Sequence, residues 1–95
     1  KPETYIKNDE WVALKVEFDK LYPEFMTRLR SLYENISEIE IRMSVLVKLD
    51  VPIGDLPHLL NRAKSSVGNM RKRLYKKLTK EEGSSIDFDG FVKTL

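Results

Sequence analysis

No cysteine occurs in the 95 residues. Disulfides, thiolate zinc sites and cysteine nucleophiles are excluded together. The single histidine, His58, leaves multi-histidine metal sites and histidine-based triads without their parts. No apolar run approaches the roughly 20 residues that span a bilayer. Glycine and proline are sparse, at four each, so breakers are few and long helices are permitted. Strand-like alternation is weak. The chain opens on Lys1, with no Met and no signal-like segment, and is read as a domain cut from a longer protein. Its length fits one domain with a modest core.

Net charge is low, at +2, but it is unevenly spread. Residues 1–61 hold eight Lys/Arg and eleven Asp/Glu. Residues 62–80 hold eight Lys/Arg and no acid. Residues 81–95 hold one Lys and four acids. A run of like charge is by default a solvated face. Whether this run is more than that depends on how it sits on its element.

Apolar residues fall mostly at helical spacings, which predicts an all-α fold, a small bundle of about six helices. Residues 1–8 form a polar lead-in. Asn8 or Asp9 can cap a first helix that turns Trp11, Leu14, Phe18 and Leu21 inward. Pro23 pushes Tyr22 out of the α region and ends that helix. It also suits the first turn of a second helix, reaching about Tyr33, with Phe25, Leu29 and Leu32 on one face. Ser37 to Glu40 has the capping-box form and starts a third helix near Glu38. Ile39, Met43, Leu46 and Val47 should point inward, with the end near Lys48 or Leu49. After the turn at Asp50-Val51-Pro52, a short helix covers about Ile53 to Asn61, with Asp55 as cap and Pro57 in the first turn. A connection through Lys64 leads to a helix from about Ser65 to Leu78 or Thr79. A last helix from about Asp87 buries Phe88, Phe91, Val92 and Leu95. Residues 1–36 are read as a helical extension packed on the same domain as residues 37–95.

On a helical wheel Leu74 and Leu78 fall within about 20° of Val67, and Met70 at about 60°. This is the buried seam. The opposite face carries Ser65, Asn69, Lys72 and Lys76, flanked by Gly68 and Arg73. Such a helix suits the DNA major groove, where small and hydrogen-bonding residues read base edges and cations meet phosphates. Ser65, Gly68, Asn69 and Lys72 fit the first role; Lys64, Ser66, Arg73, Lys76 and Lys77 fit the second. The short helix before it, with Leu56, Leu59 and Leu60 facing Val67 and Leu74, completes a helix-turn-helix.

The stretch Val51 to Leu78 resembles the LuxR-type helix-turn-helix. The shared features are Leu59-Leu60, Ser66-Val67, Arg71-x-Arg73-Leu74 and Lys77-Leu78. Upstream, Trp11, Phe18, Tyr22-Pro23, Phe25, Leu29, Tyr33 and the Ser37-to-Glu40 cap are similar to the C-terminal effector domain of Bacteroidetes-type regulators, which commonly follows tetratricopeptide repeats or a sensor region. The resemblance covers about Trp11 to Leu95. It implies a cytoplasmic output domain of a transcription regulator, bound to double-stranded DNA as a homodimer held by an upstream region or by the last helix. In some members the full-length protein is membrane-anchored. The family usually has Ser or Thr where this chain has Pro52, a helix former at Pro57 and a capping Ser at Ala63. These departures imply a shorter scanning helix and a recognition helix without its side-chain cap.

Two other readings stay open. One is a helical protein-interaction module that keeps the fold without reading DNA. The other is a domain like sigma-factor region four. His58 with Asp55 makes a poor metal site, since zinc takes three or four ligands. The run from Gly83 to Val92 has the wrong spacing for an EF-hand exit. Trp11 is expected in the core. Tyr75 can serve either core or interface, and Arg71 either a neighbouring carboxylate or DNA. No paired acids, Ser/His/Asp set or phosphate loop is found, so no enzyme activity and no cofactor are expected.

Overall fold

The computed structural model describes residues 5–95. The first four positions of the expected polar lead-in lie outside the described residues. The chain forms α1 (Asn8–Leu21), α2 (Phe25–Leu32), α3 (Glu38–Lys48), a 3-10 turn (Ile53–Asp55), α4 (Leu56–Leu60), α5 (Lys64–Thr79) and α6 (Ser85–Lys93). The fold is all-α, and no strand occurs among the described residues.

In α1, Lys7 takes the N-cap position in place of Asn8 or Asp9, and its amide donates to the Glu10 carboxylate at 3.0 Å. Trp11 and Phe18 are buried, but Leu21 is 67% exposed, against expectation. The last turn of α1 runs past the edge of the core. Tyr22 fills that edge instead, its ring 5.2 Å from Phe18. Pro23 lies in the turn before α2, because Glu24 occupies the N-cap position. Phe25 and Leu29 then reach the core, with Phe25 edge-on to Phe18 at 5.1 Å. Each such ring or leucine, fully withdrawn from water, contributes about 1.5–3 kcal/mol.

α3 runs through the middle. Ser37 and Glu40 form the capping box, the Ser37 amide donating to Glu40 at 2.9 Å. Met43, Leu46 and Val47 are buried as the spacing predicts. So are Glu40, Ile41, Ser44 and Val45, while Ile39 is only half-buried. A helix buried nearly all round is a central helix, here with α4 and α6 against it. The Ser44 hydroxyl donates to the Glu40 carbonyl at 2.8 Å, which satisfies it without a partner helix.

Beyond α3 the backbone turns at Asp50, whose φ is 63°. The expected helix over Ile53 to Asn61 is instead a 3-10 turn followed by α4. Pro57 sits in the first turn of α4, but the Asp55 side chain makes no capping bond. Asn61 closes α4 with φ 53°, a left-handed conformation that asparagine tolerates. The three-residue turn 61–63 leads into α5. Leu56, Leu60, Val67, Leu74 and Leu78 are buried in the same core. The last helix begins two residues before Asp87, because Ser84 caps it: its hydroxyl accepts from the Asp87 amide at 3.2 Å. Phe88 and Val92 are buried, while Phe91 and Leu95 are half-buried.

Candidate nucleic-acid interface

The seam of α5 determines which side chains face out. Val67, Leu74 and Leu78 are buried, and Met70 is half-buried beside them. Arg71 completes this inward face at 8% exposure. Its Nε donates to Asp89 Oδ1 at 3.0 Å, and its Nη2 pairs with Asp89 Oδ2. Of the two roles open to Arg71, the structure shows the neighbouring carboxylate. This bidentate pair ties α5 to α6.

The outward face holds Lys64, Ser65, Ser66, Asn69, Lys72, Arg73 and Lys76, all exposed, with Gly68 half-buried among them. Lys64, Lys72 and Arg73 make no ion pair among the described residues. A Cβ built on Gly68 meets nothing within 4 Å, so packing does not require glycine there. Lys64 opens the helix rather than belonging to the connection before it. Ala63 takes the N-cap position and no side chain caps the first turn. The amides there face outward with the positive end of the helix dipole.

Two of the predicted cations have partners. Lys77 is half-buried, its Nζ 3.1 Å from Glu40 Oε2 and 5.3 Å from the Tyr33 ring centroid. It therefore stands apart from the other predicted contacts. Burial pushes the Glu40 carboxyl up. Bonds from the Ser37 amide, Lys77 and the Ser37 hydroxyl outweigh burial and hold it below its ordinary value. Lys76 meets Glu82 at 2.7 Å, with both side chains largely in solvent. The bond to Glu82 raises Lys76 and lowers Glu82.

Neither Glu40 nor Glu82 is marked as a partner by its place along the chain. For Lys77 a signal exists: it stands about 80° from Val67 on the wheel, beside the seam, whereas Lys76 lies opposite at about 180°. For Glu82 there is none, because the loop geometry decides where its carboxylate falls.

Trp11 is a core residue at 3% exposure, with the Arg42 guanidinium 5.2 Å above its ring. Tyr75 is half-buried and packs edge-on to Phe91 at 6.1 Å. Its ring also lies where a side chain at Gly83 would sit: a Cβ there would be 2.3 Å from it. No group of three or more His, Cys, Asp or Glu is placed to hold a metal among the described residues. No helix among them is long and apolar enough to cross a membrane.

The face has the chemistry of groove recognition. Asn69 can bond both N6 and N7 of adenine, Lys72 can donate to the acceptors of guanine, and the serines suit either base. The remaining cations and the open amides are groups of the kind that can bind phosphate. No family model, curated protein or solved structure matches the chain.

Proposed function

We propose that this chain is a double-stranded DNA-binding domain, the output domain of a transcription regulator, with α5 lying in the major groove. The observation that carries this is the outward face of α5. Over 16 residues that helix contains no acid, and it turns small polar and cationic side chains to solvent while its other face is buried. The resemblance to LuxR-type effector domains supports the same reading. Ser65, Gly68, Asn69 and Lys72 read bases. Lys64, Ser66, Arg73 and Lys76 bind phosphates, and Lys77 is held back by Glu40. A single domain of this size offers a small interface, so two copies on paired half-sites are the working unit. The compartment that fits this role is the cytoplasm.

The test is selection of bound duplexes from a random DNA pool, followed by titration of the enriched sequence at several salt concentrations. Each phosphate neutralised adds a slope of about −0.9 in log K against log salt. Lys72→Ala with Lys76→Ala should weaken binding and flatten that slope by about 1 for every phosphate ligand removed. A response to salt that is flat in the parent protein overturns the proposal.

One observation favours a different class, the helical protein-interaction module. Glu82 already pairs with Lys76 from within the chain. An acidic partner protein would extend that arrangement across the face. Under that reading, polyanions other than DNA would compete equally well, and the pool would yield no enriched sequence.

A further inference from the structure

α1 buries only Trp11 and Phe18 of its 14 residues. Away from that face Val12 is 63% exposed and Val16 51%. They stand one turn apart on one stripe, at the edge of a shallow groove of about 390 Å³ whose lining includes Trp11, Ile41 and Arg42. The stripe lies on a helix separate from α5 and its cations.

We propose that this face of α1 binds the same face of a second copy of the chain, antiparallel, about a two-fold axis. The charges beside the stripe select this occupant. Asp9 and Lys20 are eleven residues apart and fall within about 20° of each other on the wheel, on one flank of Val12 and Val16. The midpoint of Asp9 and Lys20 and the midpoint of Val12 and Val16 differ by half a residue, about 0.75 Å of helix rise. One axis that crosses the stripe at the height of position 14 therefore does two things at once. It sets Val12 against Val16 of the second copy. It also sets Asp9 against Lys20 of the second copy, twice over. Parallel pairing would instead carry this flank to opposite sides of the seam, so that Asp9 and Lys20 of the two copies could not meet.

Of the other charges that line the groove, Lys15 and Asp19 close on each other at 2.8 Å and Arg42 and Glu38 at 3.1 Å, which leaves Arg30 on α2 as the one cation there without an ion pair among the described residues. Among the described residues Lys20 is engaged within its chain only by Glu17, at 3.1 Å with both side chains 68% exposed. Such a surface pair contributes little and is readily exchanged. Asp9 has no ion-pair partner among the described residues.

The experiment is sedimentation equilibrium of the whole chain from micromolar to millimolar concentration, with helicity and melting checked in each variant. The parent chain should form dimers. Val16→Glu should abolish them without loss of fold, because Val16 is exposed. Asp9→Lys alone and Lys20→Asp alone should each weaken association about tenfold, and the two together should restore it. Ile86→Lys, on the exposed part of α6, should leave association unchanged. Orientation is read from cysteines introduced into this cysteine-free chain. A mixture of Val12→Cys and Val16→Cys proteins should oxidise to the mixed pair faster than either protein pairs with itself. A chain that stays monomeric, a double charge swap that fails to restore association, or dimers abolished by Ile86→Lys and not by Val16→Glu would each overturn the proposal.

Discussion

Replacing Gly68 by alanine should move stability and DNA affinity in opposite directions. Gly68 lies inside α5, where glycine is about 0.8–1.0 kcal/mol less favourable than alanine. The usual reason to keep a glycine is a neighbour that a methyl would strike. Here an added Cβ has nothing within 4 Å, so no steric term offsets the gain in helix propensity. At about 4–8 °C per kcal/mol for a domain of this size, the variant should melt about 3–8 °C higher. Binding should respond the other way. Gly68 stands beside Ser65, Asn69 and Lys72 on the outward side, and a methyl there would hold the helix off the base edges. A loss of tenfold, about 1.4 kcal/mol, is expected on the selected duplex. Far-UV circular dichroism gives the melting temperature and fluorescence anisotropy the affinity. If the variant melts higher and binds unchanged, DNA does not approach the helix at Gly68 and the docking face is misassigned. If it does not melt higher, the helix-propensity reasoning itself fails.

Three further outcomes follow from the packing. Asp89→Ala leaves the Arg71 guanidinium buried without its carboxylate and should destabilise the fold by about 3–5 kcal/mol in denaturant titration, whereas replacing both partners with apolar residues should cost far less. Glu40→Gln removes a carboxylate held below its ordinary value; the stability such a group adds is complete above the unfolded carboxylate range and is lost as pH falls through the folded value. The variant should therefore be less stable at neutral pH and show a flatter acid limb, measured by chemical denaturation across pH. Gly83→Ala drives a methyl into the Tyr75 ring and should cost about 1–3 kcal/mol, with a change in near-ultraviolet aromatic dichroism as its signature.

The features legible in the sequence are those set by neighbours in the chain. Ser37 with Glu40 marks the start of α3, and Val67, Leu74 and Leu78 mark the inward seam of α5. The start of α6 falls earlier than expected because Ser84 and Asp87 make a capping box with aspartate in place of the more familiar glutamate. The burial of Ile41, Ser44 and Val45 is not legible. Ile41 shares a groove with Trp11 of α1, and α4 and α6 pack on α3 from further along the chain. The site divides in the same way. The exposure of Asn69 and Lys72 follows from the period of α5 alone. The pairing of Lys77 with Glu40 and of Arg71 with Asp89 depends on which helix lies opposite.

The pair formed by Arg71 and Asp89 has a consequence beyond stability. A helix held only by greasy contacts can roll about its own axis at small cost. Two parallel bonds between planar groups resist that roll, so α6 acts as an indexing pin for α5. A side-chain tip on a helix lies about 5–6 Å from the axis, and a roll of only 10° carries it about 1 Å. That is enough to spoil a two-point contact with a base. The azimuth at which Asn69 and Lys72 face outward is thus fixed from the far side of their own helix, by a carboxylate that touches neither of them.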